Sequence, residues 1–154
     1  MTSFDRFDLA LLQALQRDAR LTLGALSEAV SLSPSQCSRR LARLERDGIV
    51  QGYALRLDPQ ALGLAVTAFI SISMDKSRMR RPADAVGALL ARDEVVECHT
   101  VTGDHDVFLK VVVESLGALS AFLAEAVSPL DGVQNVATQV AMDTLKCGGP
   151  LKLS

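Results

Sequence analysis

The segment from residue 20 to residue 50 constrains the fold of this chain most, because it predicts two short helices that meet at a tight turn. Ser33 suits an N-cap and Pro34 the first helical position, where its missing N–H costs nothing. Gln36 stands three residues after the cap, so that Ser33 and Gln36 form an S-x-x-Q capping box. The second helix should therefore begin at Pro34, and Gly48 should end it.

The residues of this second helix divide into an apolar face and a basic face. Cys37, Leu41 and Leu44 recur at spacings of four and three, which predicts that they face inward. Four arginines face one acid between residues 34 and 46, a local net charge of +3 that would attract a phosphate backbone. The segment thus has the outline of a helix-turn-helix that binds DNA. The residues that we predict to contact DNA are Ser35, Gln36, Ser38, Arg39, Arg40 and Arg43.

Each of these predictions has an alternative that the sequence leaves open. The arginines could form a solvated helix face, Gln36 could serve only its capping box, and Arg40 could pack between helices or hold a phosphate. Two further helices are expected before this one. The first begins near Asp5 or Phe7 and buries Leu11, Leu12 and Leu15, and the next begins after Thr22 and buries Leu26 and Val30.

Composition predicts a folded chain of one or two domains with electrostatically different halves. The 154 residues are 49% apolar, and the net charge is only −2. Residues 1–56 hold eight arginines and six acids, a net charge of +2, whereas the rest holds eight basic residues and twelve acids, a net charge of −4. The three cysteines are odd in number and widely spaced, so a reducing compartment is expected. With no membrane-length apolar stretch, the sequence predicts a cytoplasmic protein.

The pattern changes after Gly48. The residues IVQGYALRL look strand-like until Asp58-Pro59 interrupts them, and Gly63 makes a plausible turn. We therefore predict a helix-turn-helix domain over residues 1–50, a connecting strand or linker over 51–64, and a second domain over 65–154.

The second domain is predicted to follow the order β-α-β-β-α-β. Strands are expected over 66–74, 95–102, 107–114 and 133–142, with a hairpin at Gly103-Asp104. The first helix should begin at Pro82 and bury Ala83, Val86 and Leu90. The second should bury Leu116, Leu119, Phe122, Leu123 and Val127. This order gives a ferredoxin-like antiparallel sheet with both helices on one face, and the apolar residues of its other face indicate a subunit interface. The fold class is α+β.

Several short motifs in a fixed order give the chain a resemblance to a known family. They are Asp5-x-x-Asp8-x-x-Leu11-Leu12, Asp18-Ala19-Arg20, Leu32-Ser33-Pro34, Arg40-x-x-x-Leu44-Glu45-x-x-Gly48-Ile49-Val50-x-Gly52-Tyr53, Leu62-Gly63 and Val101-Thr102-Gly103-Asp104-x-Asp106. Together they resemble the Lrp/AsnC family of bacterial and archaeal transcription regulators. The resemblance implies a winged helix-turn-helix domain joined to a ferredoxin-like (RAM/ACT-like) effector domain. It also implies association with the nucleoid, and dimers that assemble into larger rings, commonly octamers, with a small amino acid held between subunits near the hairpin.

The hairpin residues are the candidates for binding such an effector. A free amino acid needs one anion site and one cation site a few ångströms apart, which backbone amides near Gly103 and a carboxylate could supply. The predicted effector-binding residues are Thr100, Thr102, Gly103, Asp104, His105 and Asp106. Alternatively, these residues could be present only because glycine and aspartate favour tight turns. The sequence departs from the family at Ser27, where relatives usually have alanine, at Ser31, where they usually have glycine, and at His105, where many have an aromatic residue. Serine at position 31 must either adopt a positive φ, at a cost of about 1 kcal/mol, or reshape the turn.

The sequence gives no indication of other chemistry. Cys98 and His99 are adjacent on a predicted strand and point to opposite faces, so they cannot easily share a metal ion. We expect no cofactor, and no nucleophile and base pair that would make the chain an enzyme. Arg78, Arg80 and Arg81 with Lys76 could form a second DNA contact or only a charged loop. The main hypothesis is an amino-acid-responsive transcription regulator, and the alternative is a DNA-architectural protein of the same fold without an effector.

Overall fold

The computed structural model describes residues 4–75 and 85–153, and these fall into two compact units. The first unit comprises the chain up to Arg56 together with the tail from Leu145, and the second comprises Leu57–Thr144. Within the first unit the side chain of Gln16 holds the tail, because its Oε1 accepts from the N–H of Leu151 (2.6 Å) and its Nε2 donates to the carbonyl of Leu151 (3.3 Å). The predicted domain division had the tail in the second domain, whereas here it groups with the first unit.

The first unit contains the three predicted helices. They are α1 (Arg6–Arg17), α2 (Leu23–Val30) and α3 (Pro34–Arg46). Each begins after the expected cap, and the boxes of Asp5 with Asp8 and of Ser33 with Gln36 are both formed. Side chains from all three helices make one small core, whose fully buried members are Leu11, Leu26, Val30 and Cys37.

The turn between α2 and α3 is made by a non-glycine residue in the left-handed region. Ser31 has φ 55° and ψ 45°, and its N–H donates to the carbonyl of Ser27. A Cβ makes this conformation costly by about 1 kcal/mol. Of the two outcomes open to Ser31, a positive φ or a reshaped turn, the structure shows the positive φ.

Replacing Ser31 with glycine should raise the free energy of unfolding by about 1 kcal/mol, because glycine adopts this φ without the Cβ penalty. Gly48, with φ 72° after α3 and open space around its Cα, offers the reverse change, and Gly48→Ser should lower the same free energy by about as much. Urea titrations followed by the fluorescence of Tyr53, the one tyrosine in a chain without tryptophan, would measure both. Destabilisation by Ser31→Gly would contradict the argument.

The segment that follows α3 is not a strand within a single chain. Residues 51–58 have no regular secondary structure, and a 3₁₀ turn over Gln60–Leu62 follows, ending at Gly63 with φ 80°. Of the predicted alternatives, a connecting strand or a linker, the single chain shows a linker. The physical reason is that a strand needs a neighbouring backbone to satisfy its N–H and C=O groups, and the described part of this chain supplies none there.

The second unit is a four-stranded antiparallel sheet with helices on one face. Its elements are β1 (Val66–Met74), α4 (Gly87–Leu90), β2 (Val95–Thr100), β3 (Val107–Val113), α5 (Leu116–Phe122) and β4 (Val133–Val140). The strand order in the sheet is β2-β3-β1-β4. Both helices bury their apolar residues in the same core as the inward residues of β1 and β3, which confirms the ferredoxin-like arrangement.

The sequence pattern placed some residues of this unit incorrectly. Leu89, not Leu90, is buried in α4, with exposed fractions of 1% and 58%, and Leu116 at the start of α5 is exposed. One helical turn is too short to fix which side faces the core. The hairpin strands and β4 end one or two residues earlier than predicted, and a π-helical turn over Leu123–Val127 continues α5. The predicted helix start at Pro82 and residue Ala83 lie outside the described residues.

None of the helices in the described ranges is long and apolar enough to cross a membrane.

Candidate DNA-binding and effector sites

The first turn of α3, together with Ser38 and Arg39 that follow it, presents polar residues predicted to contact DNA. Ser35, Gln36, Ser38 and Arg39 are all exposed. The capping box fixes this turn, since Gln36 N–H donates to Ser33 Oγ (3.3 Å) and Gln36 Oε1 accepts from Ser33 N–H (3.1 Å). Helical spacing places Arg39 on the same face as Ser35 and Gln36, four and three residues away. Among the described residues Arg39 has no carboxylate within ion-pair distance, so its guanidinium is available to a ligand.

Arg40 and Arg43 are placed differently, because both bind carboxylates of α1 and its cap. Arg40 Nη1 donates to Asp5 Oδ2 at 2.7 Å and to Asp8 Oδ1 at 2.8 Å. Arg43 Nη2 donates to Asp8 Oδ2 at 2.5 Å. Asp8 is buried, and both arginines are half-buried rather than fully turned to solvent. Of the alternatives raised by the sequence, a helix-packing role thus has direct support for Arg40.

These contacts change the acidity of the two carboxyl groups. Burial by itself raises the pKa of Asp8, but hydrogen bonds from Arg40, from the N–H of Asp5 and from Arg43 outweigh it, and the net pKa is lowered. The pKa of Asp5 is lowered as well, chiefly by the backbone hydrogen bond with Asp8. Both groups therefore remain ionised at neutral pH and neutralise part of the arginine charge.

A shallow cleft lies beside the exposed face of α3. Its volume is about 380 Å³, and we call it the α3 cleft. Its lining residues are Asp5, Arg39, Arg40, Arg43 and Arg46. Four guanidinium groups around one opening suit an anion, and the phosphate groups of DNA are such anions.

The hairpin between β2 and β3 is tied to the neighbouring strand β1. Asp106 N–H donates to the Ile72 carbonyl (2.9 Å), and Met74 N–H donates to Asp106 Oδ2 (2.8 Å) where the pairing of β1 with β4 shifts register. Ser73 Oγ donates to the Asp104 carbonyl (2.9 Å) and lies 3.0 Å from His105 Nδ1. Asp106 thus has a structural role that the sequence did not indicate.

The predicted effector residues do not all have the same exposure. Thr100, Thr102, Gly103 and Asp104 are exposed at the hairpin, whereas His105 and Asp106 are half-buried. Gly103 has φ 113°, a conformation suited to glycine. The Asp104 carboxylate is therefore the group of this hairpin most open to a cationic ligand, and the turn amides beside it are potential anion donors.

Metal ligation has little support in the described ranges. Cys98 faces the core of the second unit and His99 is exposed, which agrees with opposite orientations along β2. No group of three potential metal ligands occurs among the residues that the structure describes. The arginine-rich loop with Lys76, Arg78, Arg80 and Arg81 lies outside them.

The sequence did not indicate the contacts of two side chains at these sites, Asp8 and Ser73. In the sequence, Asp8 stood out only as part of the motif Asp5-x-x-Asp8, although it also binds arginines 32 and 35 positions away. Ser73 was counted as an ordinary strand residue. An acid on the inward side of an amphipathic helix is a clue to a buried ion pair, but no local pattern marks Ser73.

A helix-turn-helix with a capped basic helix, joined to a ferredoxin-like sheet, defines a class of DNA-binding regulators. Residues 4–51 match the family model of a winged helix-turn-helix DNA-binding domain, and residues 67–151 match that of the Lrp/AsnC ligand binding domain. Leucine-responsive regulatory proteins of Salmonella typhimurium and of Escherichia coli K12 are each 36% identical over 142 residues, covering 92% of this chain and 87% of theirs.

Solved structures show the same relationship. The transcriptional regulator from Neisseria meningitidis in complex with L-Met has a TM-score of 0.90 and 35% identity, with 97% of both chains covered. Escherichia coli AsnC has a TM-score of 0.85 and 27% identity, covering 95% of this chain and 97% of that one. The chain belongs to the Lrp/AsnC family of DNA-binding transcriptional regulators, and its second unit is the family's amino-acid-binding domain.

Proposed function

We propose that this protein is a sequence-specific DNA-binding regulator whose DNA affinity or assembly changes when a small amino acid binds to the second unit. The exposed, capped first turn of α3 beside the α3 cleft is the observation that supports DNA recognition most. Ser35, Gln36, Ser38 and Arg39 contact base edges or nearby phosphates in this proposal. Arg40 and Arg43 line the same cleft and add to its attraction for DNA at reduced strength, because Asp5 and Asp8 bind them.

The hairpin between β2 and β3 is the proposed effector site. Turn amides near Gly103 receive the carboxylate of the amino acid, and Asp104 receives its ammonium group, with hydroxyls from Thr100 and Thr102 nearby. His105 and Asp106 line the inner side of the site. The L-Met complex of the Neisseria relative supports a small amino acid as the ligand class.

The outer face of the sheet is the proposed surface for a second copy. Phe69 and Phe108 stack there with ring centroids 5.7 Å apart, on the side of the sheet away from the helices. Residues 51–57 would gain a strand partner if the same segment of another copy lay beside them. We therefore propose a homodimer that assembles further, as the family resemblance implies, up to an octamer. Sedimentation would show multiples of 16.4 kDa.

A DNA-binding titration at fixed salt tests the sensor proposal. The duplex is the DNA upstream of this protein's own gene, which we call the upstream duplex, and each common amino acid is added at millimolar concentration. Salt is held constant because phosphate contacts make DNA affinity steeply salt-dependent. One amino acid should change the DNA affinity or the series of protein–DNA complexes of different size. A ligand can shift the equilibrium between two arrangements of a protein only if it binds one of them more tightly.

Asp104→Asn is the variant that separates effector binding from folding. Its carboxylate is exposed and only its backbone carbonyl is tied to Ser73, so the variant should fold normally and bind DNA while losing the amino-acid response. Asp106→Asn is the comparison, because it also weakens the bond to Met74 N–H and should lower stability. If DNA binds tightly and no amino acid has an effect, the DNA-architectural alternative replaces the sensor.

A further inference from the structure

Asp8 is the most completely buried charged residue that the structure describes, and it lies behind the DNA-binding face. Its exposed fraction is 1%, and both of its carboxylate oxygens are occupied. Oδ1 accepts from Arg40, and Oδ2 accepts from Arg43 and from the N–H of Asp5. An aspartate needed only for the capping box would require the last of these bonds alone. The two arginine bonds therefore serve another purpose.

The ion pairs divide the four arginines of the α3 cleft into two kinds. Arg40 and Arg43 are each bound by at least one ionised carboxylate, so each pair has little net charge at neutral pH. Arg39 has no such partner among the described residues, and Arg46 has only a 3.7 Å contact with Asp47 on an exposed surface. Four arginines thus line the cleft, but its net charge is about +2, because Asp5 and Asp8 neutralise two of them.

Arg43 is also held by packing. Its Nε atom is buried and has no hydrogen-bond partner among the described residues, so the base of the guanidinium is enclosed rather than extended into solvent. If Arg43 moved onto a phosphate, the buried Asp8 carboxylate would keep only Arg40 as an arginine partner among the described residues. Removing a partner from a buried charge destabilises the protein by more free energy than an exposed ion pair contributes.

Resting on the DNA-binding site proposed above, we propose that Asp8 limits the sequence-independent part of DNA affinity by withholding Arg43, and with Asp5 also Arg40, from DNA phosphates. Phosphate contacts attract every sequence equally, whereas base contacts distinguish sequences. Holding back two arginines lowers affinity for random DNA and for the upstream duplex by the same factor, and the exposed face of Ser35, Gln36, Ser38 and Arg39 discriminates between them. Asp8 is a positioning residue in this account, because it acts through the arginines and does not touch DNA.

The test is the dependence of DNA affinity on salt for Asp8→Asn, measured with a random-sequence duplex and with the upstream duplex. Asparagine keeps the size and the capping oxygen but removes the charge that holds Arg43. The slope of log affinity against log salt should steepen by about 0.9 for each arginine that gains a phosphate. Affinity for the random duplex should rise roughly five-fold near 0.15 M salt for one such contact, and affinity for the upstream duplex should rise by the same factor.

Two controls separate this effect from a change in net charge or in folding. Asp18→Asn alters the net charge equally, but within the part of the chain that the structure describes its carboxylate binds only the N–H of Arg20, so the slope should not change. The double variant Asp8→Asn with Arg43→Gln should return the slope to that of the unmodified protein. Tyr53 fluorescence and circular dichroism report whether each variant is folded. An unchanged or shallower slope for folded Asp8→Asn, or an equal steepening for Asp18→Asn, overturns the proposal.

A second comparison keeps the proposal testable if Asp8→Asn does not fold. In the otherwise unmodified protein, Arg46→Gln should reduce the slope by about 0.9, because Arg46 lines the cleft and has only a long contact with Asp47, and Arg43→Gln should reduce it by less than half as much. Equal reductions would show that Arg43 already binds phosphate and would overturn the withholding role while leaving the DNA site intact. No reduction in either variant would show that the α3 cleft does not face DNA, and the proposed DNA site would fail as well.

Discussion

Arg39→Gln should lose about 1–3 kcal/mol of binding free energy for the upstream duplex, roughly a 5- to 150-fold loss of affinity. Arg39 is the exposed arginine on the face that carries Ser35 and Gln36, and no described carboxylate competes for it. A guanidinium offers two parallel donors to the O6 and N7 atoms of guanine, which a glutamine side chain cannot replace in the same geometry. The loss should therefore be larger for the upstream duplex than for random DNA.

Titrations of both duplexes at one salt concentration measure this difference. Arg17→Gln is the matched control, because Arg17 is an exposed arginine at the end of α1 and its removal changes the net charge equally. An equal loss on both duplexes would assign Arg39 to phosphate. No loss on either would remove α3 from the DNA interface.

Local patterns predicted the start of every helix in the first unit. The two capping boxes depend on side chains three residues apart, so the sequence alone contains the whole interaction. The sequence narrowed Ser31 to a positive φ or a reshaped turn, and the structure shows the positive φ. Short-range chemistry of this kind needs no knowledge of the tertiary fold.

Contacts between distant residues were beyond the sequence pattern. The bond from Arg43 to Asp8 joins residues 35 positions apart, and the bond from Gln16 to Leu151 joins residues 135 apart. Helical periodicity placed Arg43 on an outward face, yet the partner helix α1 covers part of that face. For the same reason Asp106 was predicted as a ligand-binding residue without its bond to Met74. The sequence thus predicted the candidate DNA site by its residue types but not how charge is shared within it.

Phe122→Ala should have the largest effect on stability, with a loss of about 3–5 kcal/mol in the free energy of unfolding of the second unit. Phe122 has an exposed fraction of 2% and packs in the core shared by β1, β3 and both helices. It also ends α5 where the π-helical turn begins, and the Arg92 guanidinium lies 5.9 Å from the centre of its ring. Removing the ring leaves a cavity that these elements cannot fill without moving.

Because single domains are stable by only about 5–15 kcal/mol, this loss should unfold a large fraction of the second unit at moderate urea and weaken amino-acid binding with it. Far-ultraviolet circular dichroism follows the whole chain, while Tyr53 fluorescence follows the first unit, so the two transitions should separate in the variant. Leu116→Ala in the same helix is the control, because Leu116 is 63% exposed and its truncation should cost less than about 0.5 kcal/mol. Equal effects of the two substitutions would show that Phe122 does not hold this core together.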